Sequence, residues 1–429
     1  MNKRVAIFTN YLDYLKSFSP LILANDQIKM LKKHGYEVVV IVTEGFVAPK
    51  DSYFNHAELR YIPNVTRSED SRNDPDFDKD IKMLTEKIGE HLKDIDVVIT
   101  HDLIYLPDYL KYNLACRKIA NNNPKIKWLH WLHSATPPTE LARERQILTD
   151  KYSEMIKPFP NSTIVYPNSY DIPRVAKAFE TEEKEIKHVP HATDYPTFMK
   201  FDDITKKLVE KEKLLEADII CVYPLRLDRG KQPHINIEIM AEIKNMGFSI
   251  RMIFVDFHST GGDKIEYREE MKKKAEELGL KDDVIFTSEF DESLNLESPR
   301  TLVADLFKLS NVFILPSMSE TYSLIAQEAL LSGNVMVLNH DFPAMRSIYG
   351  DNAIYRKFSS GVDIMSDVHE STGKTDTQYN NRKDYFIEIA KQIISKLKEQ
   401  PYKAIDEFRK TRNIDYVFKN YIEPLINKE

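Results

Sequence analysis

Residues 312–339 read VFILPSMSETYSLIAQEALLSGNVMVLN. Two short apolar blocks, VFILP and VMVLN, flank a segment with helical spacing. The blocks are continuous rather than alternating, as in strands covered on both faces. A helix between two such strands makes the crossover unit of a parallel sheet. Within the helix, Glu328 lies three residues after Ile325, four after Leu324 and three before Leu331. A 3.6-residue period therefore sets a carboxylate on an apolar face. A buried carboxylate without a partner is too costly to keep. This one is expected to meet either a cation or a ligand rich in hydroxyl groups.

The same alternation runs outward through both halves of the chain. IICVYP (219–224), IRMIFVD (250–256) and VIFTS (284–288) precede the quoted unit, separated by helical patterns. The first half holds RVAIFT (4–9), EVVVIV (37–42), LRYI (59–62), DVVIT (96–100), KWLHWLH (127–133) and TIVYP (163–167). A helix from about Pro20 to His34 is ended there by Gly35. The expected fold class is α/β, with two doubly wound, Rossmann-like domains whose parallel sheets face a central cleft. Ligands of such sheets bind outside the carboxyl ends of the strands. The expected domains are 1–195 and 196–405, with a C-terminal helix, 406–429, returning to the first. The charged stretch 200–215 reads as linker and flanking helix, 363–384 as irregular, and 384–399 and 402–423 as amphipathic helices.

A chain of 429 residues has room for two or three domains with sizeable cores. Its 42% hydrophobic and 30% charged residues are the composition of a soluble globular protein. It has no apolar run of about 18 residues, the length a membrane span needs. The start, MNKRVAIFTNYLDYLK, passes into a strand and does not read as a signal peptide. Cys116 and Cys221 lie in separate halves and form no metal spacing, which suits a reducing cytoplasm. A net charge of −7 argues against non-specific binding to nucleic acid. The acidic stretch 67–80 contains D-x-D spacings through Asp74, Asp76 and Asp78. It reads as a solvated loop, because no strand end positions those carboxylates.

Three features of the second half fall at strand carboxyl ends. Arg226 and Lys231, in YPLRLDRGKQP (223–233), follow a strand where basic groups suit an anionic ligand such as a diphosphate. Two surface cations beside a turn are the plainer reading. Glu320 stands just past VFILP, where Ser319 or Thr321 is expected to cap the next helix. Glu328 is the third, and its structural alternative is an ion pair with an Arg or Lys.

SETYSLIAQEALLSGNVMVLN resembles the E-x7-E signature of retaining glycosyltransferases of the two-domain GT-B fold, family 4 in particular. Glu320 and Glu328 hold its two carboxylates, and Ala329 and Gly333 match as well. Arg226 and Lys231 match the family's R…K pair. HVPHATDYPTF (188–198) is similar to the family's domain boundary, with His191, Ala192, Thr193 and Asp194 in its central places. KWLHWLHS puts His133 where the family carries its active-site histidine. The resemblance implies an acceptor-binding first domain and a nucleotide-sugar-binding second one. It implies that Glu328 bonds the ribose hydroxyls and Glu320 the sugar. The backbone amides of Tyr322, Ser323 and Leu324 would meet the sugar or diphosphate, and Thr321 would shape the sugar pocket. Ser288, which closes VIFTS, is assigned to the same donor side. Arg226 and Lys231 would offset charge on the leaving diphosphate. The implied donor is a UDP- or GDP-sugar; no metal and no cofactor are expected.

This chain departs from the family in two places. Glu-Thr-Tyr-Ser replaces E-G-F-G, and TNYLDYLKSFSP (9–20) replaces the glycine-rich loop after the first strand. Asn10, Tyr11, Ser17, Phe18 and Ser19 of that loop are expected on the acceptor side. His130 and His133, three apart on a strand, should point to opposite faces, His130 into the sheet and His133 into the site. The acceptor is open between a glycan, a small molecule, a protein and a modified DNA base, nucleic acid entering only in that last role. SPLILANDQIKMLKKHG is a thin version of a basic membrane-surface helix, and no stable membrane insertion is expected. Alternatives of the same fold are a sugar-nucleotide epimerase or a phosphorylase. A catalytically silent binding subunit is the alternative of another class.

Overall fold

The computed structural model describes residues 3–9, 19–66, 74–133, 140, 152–155, 157–256, 263–295, 298–317, 323–341, 343–358, 368–369, 374–375, 382–399 and 401–427. The chain divides into two compact units, Met1–Asp194 with Arg412–Glu429, and Tyr195–Thr411. In the first unit, β1 (Arg4–Phe8), β2 (Glu37–Thr43), β3 (Glu58–Ile62), β4 (Val97–His101), β5 (Lys127–Trp131), β6 (Ser162–Tyr166) and β7 (Ile186–His188) form one sheet. Its order is β3-β2-β1-β4-β5-β6-β7. In the second unit the strands are β8 (Ile219–Leu225), β9 (Ile250–Asp256), β10 (Val284–Phe286), β11 (Val312–Leu315), β12 (Val335–Asn339) and β13 (Ala353–Arg356). Their order is β10-β9-β8-β11-β12-β13.

All neighbours in both sheets run parallel. The apolar runs are buried as their composition demands; every residue of β8 is inside. The fold class is therefore α/β, with two doubly wound parallel-sheet units. Strand order reverses between β1 and β4 in one unit and between β8 and β11 in the other. In sheets of this kind ligands bind at such a reversal, beyond the carboxyl ends of the strands.

Helix stops are local in origin. The helix Ser19–Lys33 ends at Gly35, φ +80°, with Gly35 N–H donating to Lys32 O (3.1 Å) and Tyr36 N–H to Leu31 O (3.0 Å). Leu324–Leu331 ends the same way at Gly333, φ +82°, with bonds from Gly333 to Leu330 O (3.0 Å) and from Asn334 to Ala329 O (3.2 Å). This paired-bond ending needs a left-handed residue, which glycine adopts without strain.

Other expectations are corrected. The strand in KWLHWLH stops at Trp131, so His133 lies beyond it. VIFTS is strand only to Phe286, and Thr287–Phe290 turns into a short helix. The stretch 200–215 holds the expected flanking helix, Asp203–Lys211, but is no linker, since that helix buries Thr205, Leu208 and Val209 in the second unit. The helix read at 402–423 is broken. Tyr402–Thr411 belongs to the second unit, and the chain re-enters the first at Arg412. Asn413 marks the break, its Oδ1 accepting from Tyr416 N–H at 3.0 Å to start a new helix. Ile414, Val417, Phe418, Ile422 and Ile426 then join the first unit's core. Among the described residues no helix is long and apolar enough to cross a membrane.

Candidate functional site

In the second unit the loop after β8 crosses the switch point. Arg226 is exposed, its Nε 3.5 Å from the Asp228 carboxylate. Lys231 closes the 3-10 turn Arg229–Lys231, and its Nζ lies 3.4 Å from Ser317 Oγ, just past β11. Buried Gln232 fastens this loop. Held at φ +49°, it donates through Nε2 to Pro316 O and to Phe358 O, both at 2.7 Å. Tyr223 Oη donates to Lys231 O at 3.1 Å and Asn236 Nδ2 to Ile314 O at 3.1 Å. Arg229 is committed elsewhere, forming two bonds to Glu270 (2.7 and 3.0 Å) and lying over the Tyr267 ring.

Ser288 is buried and already engaged. Its Oγ donates to Asp256 Oδ2 (2.6 Å) and accepts from Arg268 (2.8 Å), while its N–H donates to Asp256 Oδ1 (3.0 Å). Burial raises the Asp256 carboxyl, against the pull of the Ser288 bonds. Ser288 thus ties the end of β10 to the end of β9.

The helix Leu324–Leu331 overturns the reading of its apolar face. Ala326 and Ala329 are buried, while Leu324 is 64% and Leu331 79% exposed. The small residues let the helix lie close to the sheet, with Ile325 and Leu330 packed half-buried beside them, while Leu324 and Leu331 turn outward and Glu328 is left at the margin. Glu328 is partly exposed and ion-pairs with Arg300, whose side chain is 84% exposed. The cap also differs. Ser323 itself is the N-cap, at φ +63° and without a side-chain bond, and its carbonyl accepts from Tyr349 Oη at 3.1 Å. It occupies the place of the second glycine in E-G-F-G and keeps a glycine-like conformation. Leu324 is the first helical residue. Glu320, Thr321 and Tyr322 lie outside the described residues, as do Asn10, Tyr11, Ser17 and Phe18 of the acceptor-side loop. Ser19, the last of that set, is exposed at the start of its helix.

In the first unit, three consecutive residues at the end of β4 hold the end of β5. Thr100 Oγ1 lies 2.8 Å from His130 Nδ1, and His101 Nδ1 lies 3.0 Å from His133 Nε2. Asp102, at φ +51°, accepts from His133 N–H through Oδ1 at 3.0 Å. His101 Nε2 in turn meets Gln27 Oε1, from the helix after β1, at 3.1 Å. His191 stands beside His133, ring centroids 5.9 Å apart. Burial depresses every imidazole here, His130 to about 3 and His133 to about 4, the latter helped by His191. Burial also lifts Asp102 to about 7, opposed by the bond from His133. His130 is wholly inside and faces the sheet, whereas His133 is only partly buried at the carboxyl edge. Gln27, His101 and Asp102 were not singled out from the sequence. For His101 and Asp102 the one signal is the polar T-H-D ending of an otherwise apolar strand; Gln27 has none.

Residues 205–358 match the family model for glycosyl transferases group 1. The matched span covers β8 to β13, so it holds Arg226, Lys231, Ser288 and Glu328 together. A comparison with curated proteins returned no match. Among solved structures the chain is similar to a glycosyltransferase from Rickettsia africae ESF-5, with 14% identity over 100% of both chains and a TM-score of 0.37. It is similar to HepE of Anabaena in complex with UDP-glucose, at 13% identity, 99% of each chain and TM-score 0.36. A UDP-forming trehalose-phosphate synthase from Burkholderia xenovorans gives 14% identity, 100% of this chain and 99% of that chain, and TM-score 0.36. At such scores the likeness carries no chemistry across.

Proposed function

We propose that the protein is a metal-independent, retaining glycosyltransferase that moves a hexosyl or pentosyl group from a UDP- or GDP-sugar to an acceptor hydroxyl. The observation that carries this reading is the second unit's switch point. There Arg226 and Lys231 follow β8, and Glu328 follows β11, within a span that matches the group 1 glycosyl transferase model. Glu328 would exchange Arg300 for the ribose hydroxyls, and Glu320 would face the sugar. In the transfer, the bond from the anomeric carbon to the diphosphate breaks and a bond to the acceptor oxygen forms on the same face. The acceptor proton passes to the leaving diphosphate, so no strong protein base is needed. Arg226 and Lys231 would act on the charge that grows on that group, where fixed cations do most for the rate. A thermal-shift screen against UDP-, GDP- and ADP-sugars, joined to an assay for released nucleoside diphosphate, tests this. Stabilisation by one donor family and release of its diphosphate are expected. NMR of the freed or transferred sugar should show the donor's anomeric configuration first. No stabilisation and no release with any donor would sink the proposal.

A further inference from the structure

Gln27, His101 and His133 come from three places in the first unit: the helix Ser19–Lys33, the end of β4 and the bend after β5. The His101 and His133 ring planes are 3° apart, their centroids separated by 5.3 Å. Their facing nitrogens are 3.0 Å apart, which leaves one ring radius on each side of that gap. The rings therefore lie edge to edge in a common plane. That is the geometry of an N–H···N bond, because the hydrogen and the lone pair of an imidazole both lie in its plane.

The direction of the bond follows from its far end. An amide oxygen only accepts, so His101 Nε2, facing Gln27 Oε1, carries a hydrogen. Both rings are neutral: burial, with the neighbouring imidazoles, holds His101 well below 6.5 and His133 at about 4. A neutral His101 with hydrogen on Nε2 has only a lone pair on Nδ1. The hydrogen between the rings then belongs to His133 Nε2, and the lone pair of His133 falls on Nδ1. Among the described residues no partner is recorded for that nitrogen. The backbone of His133 is held independently by Asp102. A metal reading does not fit, since the ring nitrogens point at one another. Among the described residues no three His, Cys, Asp or Glu groups are placed to hold an ion.

We infer that Gln27 and His101 are positioning residues that set His133 in its Nε2–H tautomer, so that Nδ1 accepts a hydrogen bond from a hydroxyl group of the acceptor substrate. A buried relay ends on a partly exposed ring at the carboxyl edge of a doubly wound sheet, where ligands bind. The tautomer is a property of the free protein. Only the identity of the hydroxyl-bearing substrate rests on the glycosyl-transfer reading.

The test is two-bond proton–nitrogen correlation spectroscopy of the full chain labelled with 15N-histidine, His133 being assigned by its loss in His133→Asn. At pH 7.5 the parent should show a pyrrole-type Nε2 and a pyridine-type Nδ1 for His133. Gln27→Met, an apolar replacement at a buried position, should mix the two tautomers. It should lower kcat about tenfold while leaving donor affinity alone, because a mis-set tautomer loses only an acceptor-side bond. His101→Phe should do the same, and His101→Asn, whose amide oxygen can stand in for Nδ1, should recover the tautomer and part of the lost turnover. An Nδ1–H form in the parent overturns the inference. So does a Gln27→Met protein with parental tautomer and turnover. A correct tautomer in a protein that neither binds nor turns over any nucleotide sugar leaves the inference about the ring standing and removes the glycosyl-transfer reading.

Discussion

Glu328 has one partner in the free protein, and the proposed donor would offer it a second. Arg300 holds it in the free protein, and both side chains reach solvent, 32% and 84% exposed respectively. Exposed pairs of this kind contribute little, about 0–1 kcal/mol. Arg300→Ala should therefore change stability by no more than about 1 kcal/mol in urea unfolding, and leave donor affinity unchanged or improved by freeing the carboxylate. Glu328→Ala should weaken donor binding at least tenfold, since each charge-assisted bond to a ribose hydroxyl is worth about 1.5–3 kcal/mol. Unchanged affinity in calorimetry would reduce Glu328 to a surface ion pair. His133 makes a second residue-scale prediction. Its folded-state value of about 4 lies below the ordinary 6.5, so between those pH values the unfolded chain binds the proton more readily. The stability it contributes is present above about pH 6.5 and is lost as pH falls through about 4. Asp102, raised to about 7, works in the opposite sense and is common to parent and variant. Acidification from pH 7.5 to 4.5 should therefore cost the parent on the order of 2–3 kcal/mol more than His133→Asn. Parallel pH profiles of denaturant stability would contradict the burial of that ring.

At the scale of elements, the turn into Leu324–Leu331 carries strain that the stop at Gly333 does not. Ser323 adopts φ +63° with a β-carbon, and its Oγ is buried with no hydrogen-bond partner recorded among the described residues. A non-glycine residue in the left-handed region is disfavoured by about 1 kcal/mol, and a buried unpaired hydroxyl adds to that. Ser323→Gly should therefore stabilise the protein by roughly 0.5–1.5 kcal/mol, even after the entropy glycine costs the folded state. The bond from Tyr349 Oη goes to the Ser323 carbonyl and survives the change. A lower melting temperature in Ser323→Gly would mean that the hydroxyl has a partner and that the conformation is not strained.

For the whole molecule the two passages of the chain between units matter most. The second unit is one continuous stretch, Tyr195–Thr411, whereas the first is completed only by Arg412–Glu429. Ile414, Val417, Phe418, Ile422 and Ile426 are buried in the first unit's core, and His34 stacks on Phe418 with ring centroids 4.1 Å apart. At about 1.5–3 kcal/mol for each buried side chain, removing five forfeits on the order of 10 kcal/mol. That equals the whole stability of a typical domain, about 5–15 kcal/mol. Ending the chain at Thr411 should unfold the first unit, seen as loss of its urea transition and binding of a hydrophobic dye. Residues 195–411 made alone should keep a cooperative transition. A truncated chain that retains both transitions would show the C-terminal segment to be dispensable.

What the residues determine by themselves is local. Runs such as EVVVIV and IICVYP are too uniformly apolar to have a wet face, so they enforce a parallel sheet with helices on both sides. Gly35 and Gly333 stop helices through bonds within six residues of chain, and both stops are legible in sequence. Periodicity also puts Leu324, Glu328 and Leu331 on one side of a helix, but it cannot say which side the sheet takes. Packing decided that in favour of Ala326 and Ala329, which allow the closer approach. In the same way KWLHWLH announces two histidines and not their roles. Those depend on β4 lying beside β5 with Thr100 opposite His130 and His101 opposite Trp131. Only strand pairing across about thirty residues brings Thr100, His101 and Asp102 onto His130 and His133, and only the return of the helix after β1 adds Gln27. Contacts of that range belong to the register of the sheet, and no pattern within either strand encodes it.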